Sequence, residues 1–379
     1  MIYLDNAATT KPLEQLKELY GVYAGERWQN PSALYAPATQ VQKSIKEAAD
    51  ALLREFGSAQ HKCLFTSGGT ESANMVILRG ARKRKDMNFV CGGAEHPCVE
   101  ESYLALREQG YTVRFVQPDM HGNVQAGAVA EAVDGNTALV SVMHVNNETG
   151  AKNDVAQIAA AVKVKNTDTL FHADGVQAYL REEIDSRNID YYTVSAHKVH
   201  ALKGTGAVFY RSDSPLKPYI LGGGQQSGLR SGTENTFGIL AFAEAGRYYG
   251  KNKAEFCGRL GMLRKRFLDA CAGIEDAVVI SPEQEEKACS HIVNVSFPGA
   301  PGETLLHALE AERIYISMGA ACSSKKGKTR IAKALGLSDK VAGGSVRISF
   351  SPFNTEEEVD AAVESIKKNV AMLRKYMRK

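Results

Sequence analysis

Seven short apolar runs, separated by helix-like stretches, restrict this sequence to a narrow set of folds. The runs are Cys63–Thr66, Phe89–Cys91, Val113–Val116, Ala138–His144, Leu170–Asp174, Tyr191–Ser195 and Ala207–Tyr210. Stretches such as Val41–Phe56 and Glu100–Gln109 lie between them. Parallel strands need long crossovers, which are usually helices, so this alternation predicts a mostly parallel, doubly wound α/β sheet. The stretch Pro215–Thr233, rich in Gly, Ser and Gln, reads as a long ordered loop. After about Ala254 the pattern changes to a helix, strands at His291–Phe297 and Val346–Phe350, and a last helix. That helix places Val359, Val363, Ile366, Val370 and Leu373 on one stripe, which reads as a core face. The expected organisation is a large unit over 12–253 and a smaller α+β unit from 1–11 and 254–379.

The ends of the runs carry the chemistry. Gly69 and Thr70, His96, Asn147, Asp174 and Gln177, and Ser195, His197 and Lys198 all follow apolar runs. Each cluster alone has an ordinary explanation: a glycine turn, a helix cap, a solvated lysine. Strand-end loops converge at the carboxyl edge of a parallel sheet, however, and five independent caps meeting there are hard to account for. Lys198 and Asp174 are the telling pair. Pyridoxal phosphate needs a lysine amine to hold its aldehyde and a carboxylate to keep its pyridine nitrogen protonated. Thr66-Ser67-Gly68-Gly69-Thr70 before a helix would let backbone N–H groups approach a phosphate. His96 could stack on a ring and move protons, and Asn147 could meet a ring hydroxyl or a substrate carboxylate, or cap the next helix.

Composition excludes other classes. A net charge of +3 over 379 residues gives no electrostatic case for binding nucleic acid or a membrane surface. The start Met1-Ile2-Tyr3-Leu4-Asp5 has neither a basic nor an apolar leader region, and no apolar run approaches the length of a bilayer span. The seven cysteines show no zinc-finger spacing, so no metal site is expected and reduced thiols in the cytoplasm are. Cys322 stands apart from the other six. Its neighbours Gly319, Ala320, Ala321, Ser323 and Ser324 are small, and Lys325, Lys326 and Lys328 would favour a thiolate. Cys98 merits notice because it lies two residues from His96.

Across nearly its whole length the chain resembles the cysteine desulfurases of the class V aminotransferase family, pyridoxal phosphate fold type I. The matching motifs are Tyr3-Leu4-Asp5-Asn6-Ala7-Ala8-Thr9-Thr10, Asn30-Pro31-Ser32, Thr66-Ser67-Gly68-Gly69-Thr70-Glu71-Ser72, Glu95-His96 and His144-Val145-Asn146-Asn147-Glu148. They continue with His172-Ala173-Asp174-Gly175-Val176-Gln177, Ser195-Ala196-His197-Lys198, Arg230-Ser231-Gly232-Thr233-Glu234-Asn235, Gly319-Ala320-Ala321-Cys322 and Ser345-Val346-Arg347-Ile348-Ser349. The resemblance implies a seven-stranded sheet domain with a smaller α+β domain, and a role for each matching residue. Lys198 would carry the cofactor, Asp174 would meet the ring nitrogen, Gln177 the phenolic oxygen, and His96 would stack on the ring. Gly69, Thr70, Ser195 and His197 would hold the phosphate, and Thr233 would reach the phosphate of a second subunit in a homodimer. Asn147, Arg347 and Asn30 would bind substrate, and Cys322 would take sulfur from L-cysteine for transfer to an acceptor protein.

Some positions depart from the family's usual pattern: Tyr35 for His, Ala38 and Ala196 for Gly, Ala201-Leu202-Lys203-Gly204 for Gly-Pro-Lys-Gly, and the lysine-rich stretch after Cys322. The chain also ends soon after its last helix, without the tail that housekeeping members direct to their scaffold partner. These differences bear on the sulfur acceptor, an iron–sulfur scaffold or a tRNA thiolation enzyme, rather than on the cofactor. Two other readings use the same residues: a selenocysteine lyase or other β-eliminating enzyme, and a sulfur-relay adaptor with weak catalysis.

Overall fold

The computed structural model describes residues 1–318 and 330–377. All seven apolar runs become strands of one sheet: β1 (His61–Thr66), β2 (Asn88–Gly92), β3 (Thr112–Val116), β4 (Thr137–Met143), β5 (Leu170–Asp174), β6 (Tyr191–Ser195) and β7 (Gly206–Arg211). The spatial order is β1-β7-β6-β5-β4-β2-β3. Every pairing is parallel except the two made by β7. Every residue of β2, β4 and β6 is buried, because helices cover both faces.

One face packs against helices Ala36–Phe56 and Val155–Lys165 and the first half of Thr236–Cys271, through residues such as Leu52, Phe56, Ile158 and Phe242. The other face receives helices Gly69–Arg79 and Pro97–Glu108, through Met75, Ile77, Val99 and Tyr103. Each fully buried Val, Ile, Leu or Phe contributes roughly 1.5–3 kcal/mol, so these layers hold the strand ends firmly. A separate cluster joins Leu260, Leu263 and Phe267 to the antiparallel strands β8 (Ile292–Ser296) and β9 (Ser345–Ser349) and to helix Glu356–Met377. The 36-residue helix Thr236–Cys271 runs unbroken through both clusters.

Two helices begin earlier than their apolar patterns suggest. The first starts at Ala36 rather than Val41 and carries Pro37 in its first turn, where a missing N–H costs nothing. The second starts at Pro97 rather than Glu100 and is capped by the His96 imidazole instead of a Ser, Thr, Asp or Asn side chain. The loop Pro215–Thr233 is ordered by side chains. Gln226 exchanges two hydrogen bonds with the Phe65 main chain (2.7 and 2.8 Å), covering the free edge of β1, and Arg230 forks onto Glu71.

The N-terminal segment links the two clusters. Ile2 and Tyr3 pair with Ile314 and Tyr315, Asp5 bridges to Ser349 of β9, and Thr10 reaches His197 and His200 beyond β6. Residues 5–10 therefore cross the carboxyl edge of the large sheet. No helix among the described residues is long and apolar enough to cross a membrane.

Candidate active site

At that edge lies a cavity of about 290 Å³. Its lining includes Gly69, Thr70, His96, Asn147, Asp174, Gln177, Ser195, His197, Lys198 and Arg347, ten of the residues singled out in the sequence. Ala7, Ala8, Cys98, Met143, Val145 and Val176 complete the wall. Such a volume is at the small end of the range for small-molecule sites.

The floor near β1 is a helix start left open. Gly68 precedes helix Gly69–Arg79, and no side chain caps it, so its first N–H groups and positive dipole end face the cavity. Glycine is required here by close approach. A Cβ on Gly206 of β7 would lie 2.6 Å from the Gly68 Cα, and one on Gly69 would lie 2.8 Å from Val176 Cγ2. Ser195 and His197 stand opposite, at the end of β6. Burial, with the charges of Lys198 and Lys203, pulls the His197 imidazole down to about 4, so the ring is neutral near pH 7. Its Nδ1 lies 3.1 Å from Thr9 Oγ1.

Lys198 follows β6 on a single 3₁₀ turn, and its amine donates to the carbonyls of Ala7 (2.6 Å) and Ala8 (2.8 Å). Burial pulls this amine down to about 8, aided by Arg347 and Arg181 and opposed by Asp5 and Asp174. Asp174 ends β5, accepts the Val176 N–H at 3.0 Å, and is pushed up by burial against that bond and the charges of His96 and Lys198. Gln177 donates to the Ala7 carbonyl at 2.9 Å, while its Oε1 is buried without a partner.

His96 has a defined tautomer. Its Nδ1 accepts the Cys98 main-chain N–H at 3.2 Å and lies 3.0 Å from Cys98 Sγ. A nitrogen that accepts carries no proton, so the neutral ring holds its proton on Nε2. Burial favours the neutral ring, as do Lys198 and Arg330, against Asp174. Burial also pushes the Cys98 thiol up, which keeps its S–H available to the imidazole.

Arg347, in β9, closes the cavity from the second cluster. One nitrogen donates to the Asn147 carbonyl (2.9 Å), the other to Asp5 Oδ1 (2.9 Å), and Glu148 lies 3.8 Å away. The guanidinium thus both lines the cavity and sits in an ion pair, with its Nε buried and unpartnered. Asn147 does not cap the following helix, since Asp154 does so. Asn30 and Thr233 are exposed and outside the cavity of this single chain, with Asn30 Oδ1 accepting the Ser32 N–H instead. Cys322 lies outside the described residues.

The donor set suits pyridoxal phosphate. An uncapped helix start with glycines and neutral hydroxyl and imidazole groups suits the phosphate. An amine that loses its proton near pH 8 can attack an aldehyde, and a buried carboxylate with raised proton affinity suits a protonated ring nitrogen. The orphaned Gln177 Oε1 leaves a polar atom for a ring substituent. The roles of Ala7, Ala8 and Asp5 were not legible in the residues. Two act through main-chain carbonyls, which carry no side-chain signature, and Asp5 meets Arg347 across 342 positions of sequence.

The sequence pattern of the class-V aminotransferases matches residues 2–362. The chain belongs to the class-V aminotransferase family. Among its relatives in that family is the cysteine desulfurase IscS of Clostridium botulinum, 33% identical over 98% of this chain and 95% of that protein. A solved NifS-like protein of the same fold is 31% identical with a TM-score of 0.90, over 98% of this chain and 99% of that one. A third similar protein, SspA solved in complex with cysteine, is 28% identical with a TM-score of 0.79, over 94% of this chain and 100% of that one. The family and fold that the motifs implied are therefore borne out.

Proposed function

We propose that this protein is a pyridoxal phosphate-dependent cysteine desulfurase that releases L-alanine from L-cysteine and carries the sulfur as a persulfide on Cys322. The observation that carries this reading is the meeting of Lys198, Asp174, His96 and Arg347 with an open helix start in one cavity. Similarity to proteins named cysteine desulfurase, and to one solved with cysteine, supports the reaction and the substrate.

Pyridoxal phosphate, when bound, supplies an electron sink for the substrate Cα. Lys198, Asp174, Gln177 and His96 would hold its ring, and Gly69, Thr70, Ser195 and His197 its phosphate, with Thr233 contributed by the second copy of a homodimer. The Lys198 amine exchanges its proton near pH 8, which suits a base at Cα and an acid at Cβ close to neutrality. Arg347, steered by Asp5 and the Asn147 carbonyl, receives the substrate carboxylate together with Asn147 and Asn30. The Cys322 thiolate attacks the substrate sulfur. An S–S bond forms as the C–S bond breaks, the electron pair of that bond stays with carbon, and protons delivered to Cβ and returned to Cα complete alanine. The persulfide then passes to an acceptor protein in the cytoplasm. With this reading goes a division into a cofactor-holding unit over 12–253 and a smaller unit over 1–11 and 254–379.

Cys322→Ser tests the proposal. The variant should bind pyridoxal phosphate and L-cysteine as the parent does, yet form no alanine beyond background, since a serine hydroxyl is neither ionised nor sulfur-accepting. Replacing Cys98 or any of the other five cysteines should leave substantial turnover. Parental alanine formation by the Cys322 variant would point instead to direct β-elimination.

A further inference from the structure

Gln177 and Lys198 sit on different strand-end turns, one after β5 and one after β6, and a single buried side chain joins them from outside the cavity wall. Arg181 is 5% exposed. One of its terminal nitrogens donates to the main-chain carbonyl of Gln177 (3.4 Å) and the other to that of Lys198. Its own main chain is held by bonds to Ala178 O and from Cys257 Sγ (3.2 Å). Among the described residues no carboxylate forms an ion pair with this guanidinium. The adjacent Glu182 pairs with Lys152 at 3.3 Å and feels the Arg181 charge without forming an ion pair with it. Burying an unpaired cation is costly, and a structural staple between two carbonyls does not require one.

We propose that Arg181 is a positioning residue that braces the Lys198 turn against the Asp174–Gln177 turn and presents an unpaired positive charge to the lysine amine. The inference rests on the pyridoxal phosphate reading of the cavity. A planar fork reaches two carbonyls on different turns, which a single ammonium does less well. The amine is faced by Arg347 from β9, Asp5 from the N-terminal segment, Asp174 from β5, the neighbouring His96 and His197, and Arg181. Two cations thus oppose two carboxylates around it, and Arg181 is the cation with no carboxylate partner of its own. Its charge works in the same direction as burial, toward the neutral amine that can attack an aldehyde.

Two variants separate brace from charge, and one measurement needs no cofactor. In the cofactor-free protein, the rate at which trinitrobenzenesulfonate modifies Lys198, read by peptide mass spectrometry against pH, reports the proton affinity of the amine. Arg181→Gln removes charge and fork. Its midpoint should move above that of the parent and slow modification at pH 7.5 by about three- to eightfold, the effect of half to one pKa unit on an amine near 8. Affinity for added pyridoxal phosphate should fall with it. Arg181→Lys keeps the charge and loses the fork, so its midpoint should match the parent while cofactor affinity still falls. A parental midpoint in folded Arg181→Gln overturns the charge role, and parental cofactor affinity in Arg181→Lys overturns the brace. If Arg181→Gln does not fold, the Arg181→Lys affinity decides. A parent that fails to bind pyridoxal phosphate sinks the cofactor reading, while the amine titration still reads what Arg181 does to Lys198.

Discussion

The two edges of the large sheet carry charged residues in opposite ways. At the amino edge, a cleft of about 560 Å³ is lined by Arg84, Lys163, Arg187, Arg211, Asp190 and Asp213 among others. Four of its five cations, all but Arg82, are matched: Lys163 lies 2.8 Å from Asp190, Arg211 3.3 Å from Asp213, Arg84 3.3 Å from Asp86, and Arg187 pairs with Asp185. At the carboxyl edge the cavity is about half that size, yet its lysine donates to two main-chain carbonyls and the nearby Arg181 has no ion pair among the described residues. Volume alone would choose the wrong edge. Neutralised pairs stabilise a surface and do little chemistry, whereas a buried amine denied a carboxylate is left reactive.

Alanine substitution of one lysine at each edge gives the sharpest contrast. Lys198→Ala should lower alanine formation from L-cysteine by about 10³-fold or more, since both attachment of the cofactor and proton transfer depend on it. Lys163→Ala should leave the turnover of folded protein within about twofold, because the Lys163 amine donates to Thr169 O and Asp190 at the far edge of the sheet. Comparable losses in both would abolish the distinction between the edges.

A smaller effect probes the ion pair that does occur beside the cavity. Arg347→Lys should raise KM for L-cysteine by about ten- to a hundredfold, the effect of losing one of two parallel charge-assisted bonds. Asp5→Asn keeps the guanidinium but loosens its orientation, and should raise KM by roughly two- to tenfold. Unchanged KM in both variants would place Arg347 with the compensated pairs of the amino edge and leave substrate binding to other groups.

The carboxyl-edge side of this contrast was readable in the sequence, and the amino-edge ion pairs were not. β5 and β6 run over the spans their apolar residues mark, and Lys198 and Asp174 fall at their ends because strand-end polarity is written in side chains. Ten expected residues converge on one cavity. What was not readable acts through the main chain or over long sequence distance: the carbonyls of Ala7 and Ala8, the Asp5–Arg347 pair and the Arg181 fork. Asn30 and Thr233 illustrate another limit. Their motifs were legible, yet both side chains are exposed and lie outside the cavity of the single chain.

The subtlest test uses one substitution at both edges. In cofactor-free protein, Lys163→Met should lower stability by about 1–3 kcal/mol, because Asp190, itself 6% exposed, loses its cationic partner. Lys198→Met should not do so at pH 7. The folded protein holds this amine near 8, below the ordinary lysine value of about 10.4, so below pH 8 the native state carries a charge it disfavours. Methionine removes that penalty and keeps a similar volume, and the Ala8 carbonyl it releases can bond to water. The penalty fades with rising pH. Between about pH 8 and 10.4 the unfolded chain binds more protons at this lysine than the native chain, so the parent gains stability as pH rises while the methionine variant gains nothing from this position. Thermal midpoints of the two variants against the parent, taken from pH 7 to 10, should therefore show the advantage of Lys198→Met shrinking steadily above pH 8. A constant difference across that range would mean that the Lys198 amine is not held low, and the contrast between the two edges would lose its physical basis.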